Sequence, residues 1–239
     1  MKPRDLEILK SLEKFKCLTR DQIAAIHFNK NARPHISANQ VLKRLRRDNY
    51  ITANTDRSFQ QYIYFNNPSP IKLDSQKLDH YLLMNQTIID MMQYSPITEF
   101  HFETSIPDAD FIPDINVKGW LDNDWFIECQ NSLYTTKQLY SKLDRYKSYF
   151  DKGYWNNEKV LIIGKVNLKF DTDDYPFKVK QVRGIEDLSD VIKRFKEVKL
   201  QEFKEKVRGG NNSTVSNNNE VSRVVKSGGK KINFVPKSG

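Results

Sequence analysis

Apolar residues return at helical spacing from the start of the chain: Leu6, Ile8, Leu9, Leu12 and Phe15 fall close to one stripe. In the next segment, LTRDQIAAIHF, Thr19 is a natural N-cap, and Ile23 and Ile26 face inward. A proline-containing connection, NARPH, leads into SANQVLKRLRRDNYI, where Ser37 is placed to cap a third helix. The pattern then changes. YITAN and FQQYIYF are rich in β-branched and aromatic residues and TDRS supplies a turn, which predicts a hairpin over residues 50–65. Three helices followed by a hairpin is the order of a winged helix-turn-helix.

NNPSPIKLD, residues 66–74, reads as an element boundary because of its prolines and asparagines. Beyond it a helical pattern runs from Ser75 to Tyr94, with Leu78, Leu82, Ile88, Ile89 and Met92 among its apolar members. ITEFHFET alternates as a strand does, and two more strands are expected around 111–118 and 124–130. TTKQLYSKLDRYKSYF is helical, with Leu139, Leu143, Tyr146 and Phe150 on one face. KVLIIGKV has the continuous apolar character of a buried central strand. FKVKQV adds a further strand, and residues 186–206 a charged amphipathic helix. The expected fold is α/β in two domains, a winged helix over 1–70 and an α/β body over 75–207. Residues 208–239, rich in Gly, Asn and Ser, read as a disordered basic tail that carries a small apolar island, INFVP.

Charge sharpens this division. The net charge is +9, but residues 1–70 carry 13 Lys/Arg against 6 Asp/Glu, a net +7. Residues 71–207 come to −3, and residues 208–239 to +5. Positive charge at both ends of a slightly acidic middle suggests a nucleic-acid-binding head, a basic tail and a body with another task. The sequence has no apolar run of about 18 residues, and MKPRDLEILKSLEKF is charged and amphipathic rather than a signal peptide. Cys17 and Cys129 match no ligand motif and imply no disulfide framework, and the four histidines have no metal-site spacing. A cytoplasmic protein without membrane contact is expected.

The third helix carries the first candidate chemistry. At 100° per residue Ala38, Val41, Leu42 and Leu45 fall on one side. Asn39, Gln40, Lys43, Arg44 and Arg47 fall on the other, with Arg46 at the flank. Asn and Gln bond adenine in bidentate fashion and Arg does the same with guanine, so this face suits the major groove of duplex DNA. Ser37, Ala38 and Asn39, at the expected capped end, would approach the bases. Arg57 at the hairpin tip and Gln60 beside it would reach phosphate or minor groove.

The second candidate lies in FIPDINVKGWLDNDWFIECQNS, residues 111–132. Strand alternation puts Phe126, Glu128 and Gln130 on one face and Trp125, Ile127 and Cys129 on the other. On the preceding strand Ile112, Asp114, Asn116 and Lys118 share a face, and a turn at LDND would bring Asp114 beside Glu128. Two carboxylates so placed are candidate ligands for magnesium, which would polarise a phosphate and generate hydroxide for phosphodiester cleavage.

Pro113-Asp114 and Glu128-Cys129-Gln130 resemble the two motifs of the PD-(D/E)xK nuclease superfamily, with Gln130 where lysine is usual. That resemblance implies catalytic roles for Asp114, Glu128 and Gln130, with Lys142 or Lys137 as a lysine moved to the following helix. The whole arrangement is similar to the replication-relaxation family of plasmids and other mobile elements, on Pro113-Asp114, FIECQNS at 126–132 and SKLDRY at 141–146. Gln130 and Asn131 depart from that family's pattern. The resemblance implies a double-stranded DNA-binding accessory factor in replication, DNA relaxation or mobilisation, with a replication or relaxase protein and a second copy as partners. A magnesium-dependent endonuclease and a transcriptional regulator are the alternative readings.

Overall fold

The computed structural model describes residues 1–56, 60–131, 135–164, 171 and 173–209. Among them the fold is mixed α/β, with six α-helices and two sheets. Contacts divide the chain into two compact units, residues 1–195 and 196–239.

The first unit begins with α1 (Pro3–Phe15), the two-residue strand β1 (Leu18–Thr19), α2 (Arg20–His27) and α3 (Pro34–Arg47). Strands β2 (Ile51–Asn54) and β3 (Ile63–Asn66) follow, and the sheet order is β1-β3-β2, all antiparallel. Thr19 caps α2 as expected: its hydroxyl accepts from the Gln22 N–H at 3.2 Å, and Gln22 Oε1 accepts from Thr19 N at 3.1 Å. Ser37 does not cap α3. Pro34, with its fixed φ and no N–H to leave unpaired, starts the helix one turn earlier. Ser37 instead accepts a hydrogen bond from Asn31 at 2.9 Å. Ala38, Leu42 and Leu45 are fully buried, so Ala38 cannot reach a base.

Helix α4 (Leu78–Tyr94) leads to a five-stranded sheet of β4 (Glu99–Phe102), β5 (Ile115–Trp120), β6 (Asn123–Gln130), β7 (Lys159–Gly164) and β8 (Val179–Val182), in that order across the sheet. The first three run antiparallel to one another, whereas β7 is parallel to β6 and β8 to β7. The β6–β7 crossover carries α5 (Thr136–Asp151), capped by Thr135 with Gln138 in the reciprocal role. The expected turn at LDND is made by Leu121 and Asp122, with φ of 51° and 56°, the paired positive φ of a two-residue hairpin. A bulge shifts the register between Val117 and Trp120, which buries both side chains completely. Gly119 lies in it at φ 74°, and a Cβ there would sit 2.2 Å from Thr98 Oγ1, so only glycine fits.

The alternation predicted for β6 divides two cores. Trp125, Ile127 and Cys129 join a core shared with α1–α4, Leu161, Ile163 and the start of α6 (Ser189–Gly209). Phe126 joins a second core with Leu139, Leu143 and Tyr146 of α5, under Val160 and Ile162. The first core runs without a break from Ile8 to Ile192. Two amides reinforce it: Asn85, 1% exposed, donates to Phe15 O at 3.1 Å and Cys17 O at 2.6 Å, and Gln22 donates to Leu82 O at 3.0 Å. The described part of the second unit is the later part of α6, where Val198, Leu200 and Phe203 are exposed. Most of the expected basic tail, residues 210–239, lies outside the described residues. No described helix is long and apolar enough to cross a membrane.

Candidate nucleic-acid interface

Burial of Ala38, Leu42 and Leu45 turns the opposite side of α3 outward, where Asn39, Gln40, Lys43, Arg46 and Arg47 are all exposed. Tyr62, just before β3, and Tyr64 within it stand opposite. Between them lies a cleft of about 540 Å³, bordered by Asn39, Lys43, Arg46, Arg47, Tyr62 and Tyr64. A second cleft of about 380 Å³ continues from Asn39 and Tyr62 to Arg20, Gln60 and Gln61. Amide, guanidinium and phenol edges thus converge on one surface, with Tyr62 46% exposed at its centre. Gln60 lines the second cleft; Arg57 lies outside the described residues.

Arg44 has a different task. Both its terminal nitrogens donate to Asp5, at 3.0 and 2.7 Å, and Asp5 is 1% exposed. That bidentate bond holds the Asp5 carboxyl below its ordinary value and pins α3 to α1. Arg47 bonds Asp48 at 2.8 Å but stays largely in solvent. Another carboxylate organises the margin: Asp21 accepts from Arg20 at 2.7 Å, lies 2.8 Å from His35 Nδ1, and takes a hydrogen bond from Gln61. It ties the starts of α2 and α3 to the residues before β3.

Sequence reasoning did not name Arg20, Gln61, Tyr62 or Tyr64 for this surface, because the packing of α2 on α3 and the pairing of β3 with β1 bring them together from separate segments. Ile36 was also missed. It is 49% exposed one turn before Asn39 and Gln40, a position suited to a thymine methyl group.

The carboxylate pair does come together. Ile115 pairs with Ile127, so Asp114, just before β5, stands opposite Glu128. Asp114 Oδ2 accepts from the Cys129 N–H at 2.7 Å, and Oδ1 lies 3.3 Å from His80 Nε2 of α4. Burial works to raise the Asp114 carboxyl. The His80 hydrogen bond, the Lys142 charge and the Cys129 N–H outweigh it and hold the group below its ordinary value. His80 is raised in turn, mainly by its bond to Asp114.

Glu128 is 2% exposed. Tyr146 donates its hydroxyl to Oε1, and Lys142 Nζ meets Oε2, both from α5. Burial pushes the Glu128 carboxyl up to about 7 against the pull of Lys142, with the neighbouring Asp114 charge adding to the rise. Lys142, one of the two lysines considered for the position that Gln130 cannot fill, is therefore the one at the carboxylates. Lys137 is exposed on the first turn of α5. Gln130 is 6% exposed, and its Nε2 has no hydrogen-bond partner. His80 and the Tyr146 hydroxyl carried no local signal, since neither is near Asp114 or Glu128 in sequence.

This set does not fit a resident magnesium ion as arranged. Asp114 accepts from the Cys129 N–H and pairs with His80, Glu128 Oε1 accepts from Tyr146, and Glu128 Oε2, which has no hydrogen-bond partner among the described residues, is met by the charge of Lys142. No group of three His, Cys, Asp or Glu among the described residues is placed to hold a metal.

A comparison with curated proteins finds no match. Residues 9–69, from α1 through β3, match the family model described as replication-relaxation, which bears out over that segment the family resemblance read from the sequence.

Proposed function

We propose that this chain is a double-stranded DNA-binding accessory protein of a plasmid, phage or integrative element, acting in replication, DNA relaxation or mobilisation. The observation that carries the reading is the exposed row Asn39, Gln40, Lys43, Arg46 and Arg47, set over a buried row of Ala38, Leu42 and Leu45 and facing Tyr62 across a cleft. The order of α1, β1, α2, α3, β2 and β3, with sheet order β1-β3-β2, supports a winged helix-turn-helix in which α3 enters the major groove. Asn39 and Gln40 would read adenine and Arg46 or Arg47 guanine, while Arg20 and Lys43 would hold phosphates. A replication or relaxase protein and a second copy of the chain are the partners proposed with it.

Titration of the protein with duplex DNA from its own element, against random competitor, tests the reading. Preferential binding that weakens on Asn39→Ala and Arg46→Ala supports it. Equal affinity of wild type and both variants at every salt concentration would sink it.

For the body we propose a PD-(D/E)xK-like fold that serves as a scaffold rather than a magnesium-dependent nuclease. The order helix, three strands, helix, strand, with β7 parallel to β6 and Lys142 set against Glu128, supports the fold. The closed carboxylates support the loss of metal chemistry. Supercoiled DNA incubated with magnesium, manganese or chelator should stay intact. Metal-dependent nicking, abolished by both Asp114→Asn and Glu128→Gln, would overturn the scaffold reading.

A further inference from the structure

Several cations of the body are held by carboxylates: Lys118 by Asp124, Lys142 by Glu128, Lys147 by Asp151 and Arg183 by Asp187. Three lysines at the start of β7 and at β8 are not. Lys159 opens β7 and pairs with Trp125 of β6. Val160 N donates to Lys178 O at 2.9 Å, and Val160 and Leu161 pair with Val179 and Lys180. Paired residues on neighbouring strands project to the same face, so Trp125, Lys159 and Lys178 form a row across three strands, with Lys180 beside it.

The Lys159 ammonium lies 5.3 Å from the centre of the Trp125 ring, which is itself 3% exposed. Lys178 and Lys180 are exposed, and Lys159 is half-buried. Burial lowers the Lys159 ammonium, and the charges of Lys178 and Lys180 lower it further. No carboxylate among the described residues forms an ion pair with any of the three.

We propose that Lys159, Lys178 and Lys180 form a second contact for duplex DNA, a sequence-independent one made to the phosphodiester backbone. Three like charges on adjacent strands repel one another until an anion with repeated single charges lies across them, and a phosphate backbone is such an anion. Lysine lacks the planar fork with which arginine reads a base or clamps one carboxylate; its compact ammonium makes point contacts that phosphates accept in any sequence. The Trp125 ring holds the ammonium of one lysine, so part of the patch is placed before DNA arrives.

The patch is distinct from the α3 surface. Strand β8 is the sheet edge opposite β4, about 19 Å away at ordinary strand spacing, and it is β4 that meets α1, where Phe100 and Phe102 contact Phe15 at 5.6 and 5.8 Å. The choice of duplex DNA as the ligand rests on the role proposed for α3; the charge cluster does not.

The test is the salt dependence of binding of the full chain to random-sequence duplex DNA, followed by fluorescence anisotropy. Lys159→Gln/Lys178→Gln/Lys180→Gln should lower the slope of log affinity against log salt by about 2–3. Lys178→Gln/Lys180→Gln leaves the packing on Trp125 intact and should lower it by about 2. Preference for the element's own DNA should survive in both. An unchanged slope in the double variant, with wild-type thermal unfolding, overturns the proposal. So does a loss of binding to polyglutamate with DNA affinity unchanged, which would make the patch a protein contact. A Lys43→Ala/Arg46→Ala variant of unaltered affinity would overturn the α3 reading alone and leave the lysine result standing.

Discussion

On α3, Asn39, Lys43 and Arg46 stand in solvent beside a cleft, and three acids of the first helices, Asp5, Asp21 and Asp48, bond Arg44, Arg20 and Arg47. On β6, Glu128 is 2% exposed and shares its two oxygens between Tyr146 and Lys142, while Asp114 opposite is held by His80 and the Cys129 N–H. Both regions gather polar side chains on one face of a regular element. They differ in what those side chains are left to do. Exposed cations carry little cost without a partner and are available to an outside anion. A buried carboxylate must be partnered from within, and each partner it takes is one fewer lone pair for a metal or substrate. The same contrast explains why Arg44 does not belong with its neighbours on α3: its partner, Asp5, is buried, so its charge is already committed.

The largest effect that would break this comparison is at Lys142. Lys142→Ala leaves Glu128 buried without its cation and should destabilise the fold by about 3 kcal/mol above neutral pH. The sign with pH is fixed by linkage. The folded-state value of Glu128, about 7, lies above its ordinary 4.5, so the folded protein binds the extra proton between them. This contribution to stability therefore declines as pH rises from about 4.5 through 7 and levels off above. Without Lys142 the folded value rises further, so the decline extends to higher pH. Thermal unfolding of wild type and variant should differ little at about pH 5 and diverge above 7. A constant gap across that range would show that Lys142 acts by packing alone.

Arg46→Ala comes next and probes the other region. It breaks no ion pair or side-chain hydrogen bond seen among the described residues, so folding should be little affected while affinity for the cognate duplex falls about ten- to a hundred-fold if the guanidinium reads a base. Binding isotherms on matched and base-substituted duplexes check this. A loss that is identical on every duplex would reassign Arg46 to phosphate.

How much of this was legible beforehand depends on how local each determinant is. Period alone divided Trp125, Ile127 and Cys129 from Phe126, Glu128 and Gln130, and the two cores follow that division. Thr19 was legible as a cap because its partner Gln22 is three residues away. Ser37 misled because two helix-start signals compete within four residues, and Pro34 reaches the helix first. The Asp114–Glu128 juxtaposition could be read from one hairpin. Its completion by His80 and Tyr146 could not, since α4 and α5 approach from opposite faces of the sheet. Arg44 looked like its exposed neighbours because Asp5 lies 39 residues away in sequence. The continuous first core was equally hidden, because the segment 66–74 has the composition of a linker whatever packs on either side of it.

A smaller effect sharpens the buried side. Tyr146→Phe keeps the ring that packs 4.0 Å from Phe111 and removes only the hydroxyl that Glu128 accepts. The loss should be about 1–2 kcal/mol above neutral pH, where the ionised carboxylate loses a donor. It should shrink in acid, where the protonated carboxyl depends less on one. Denaturant titrations on both sides of neutrality would show this, and equal losses would mean that the hydroxyl supports the fold through some contact other than the Glu128 charge.

The smallest effect separates the two kinds of exposed residue on α3. Lys43 lies between Asn39 and Arg46 along the cleft, but it carries a point charge where Arg46 carries a fork. If it meets phosphate, Lys43→Ala weakens binding about equally on every duplex and lowers the salt slope by about 1. Against Arg46→Ala, measured on the same duplexes, the two variants then form a crossed pair: one changes discrimination between sequences, the other changes response to salt. Should Lys43→Ala alter discrimination and leave the slope alone, the helix is rotated in the groove from the orientation proposed, with Lys43 toward the bases. The exposed row would still be the binding face, but its reading residues would shift by a turn, toward Ile36, Asn39 and Lys43.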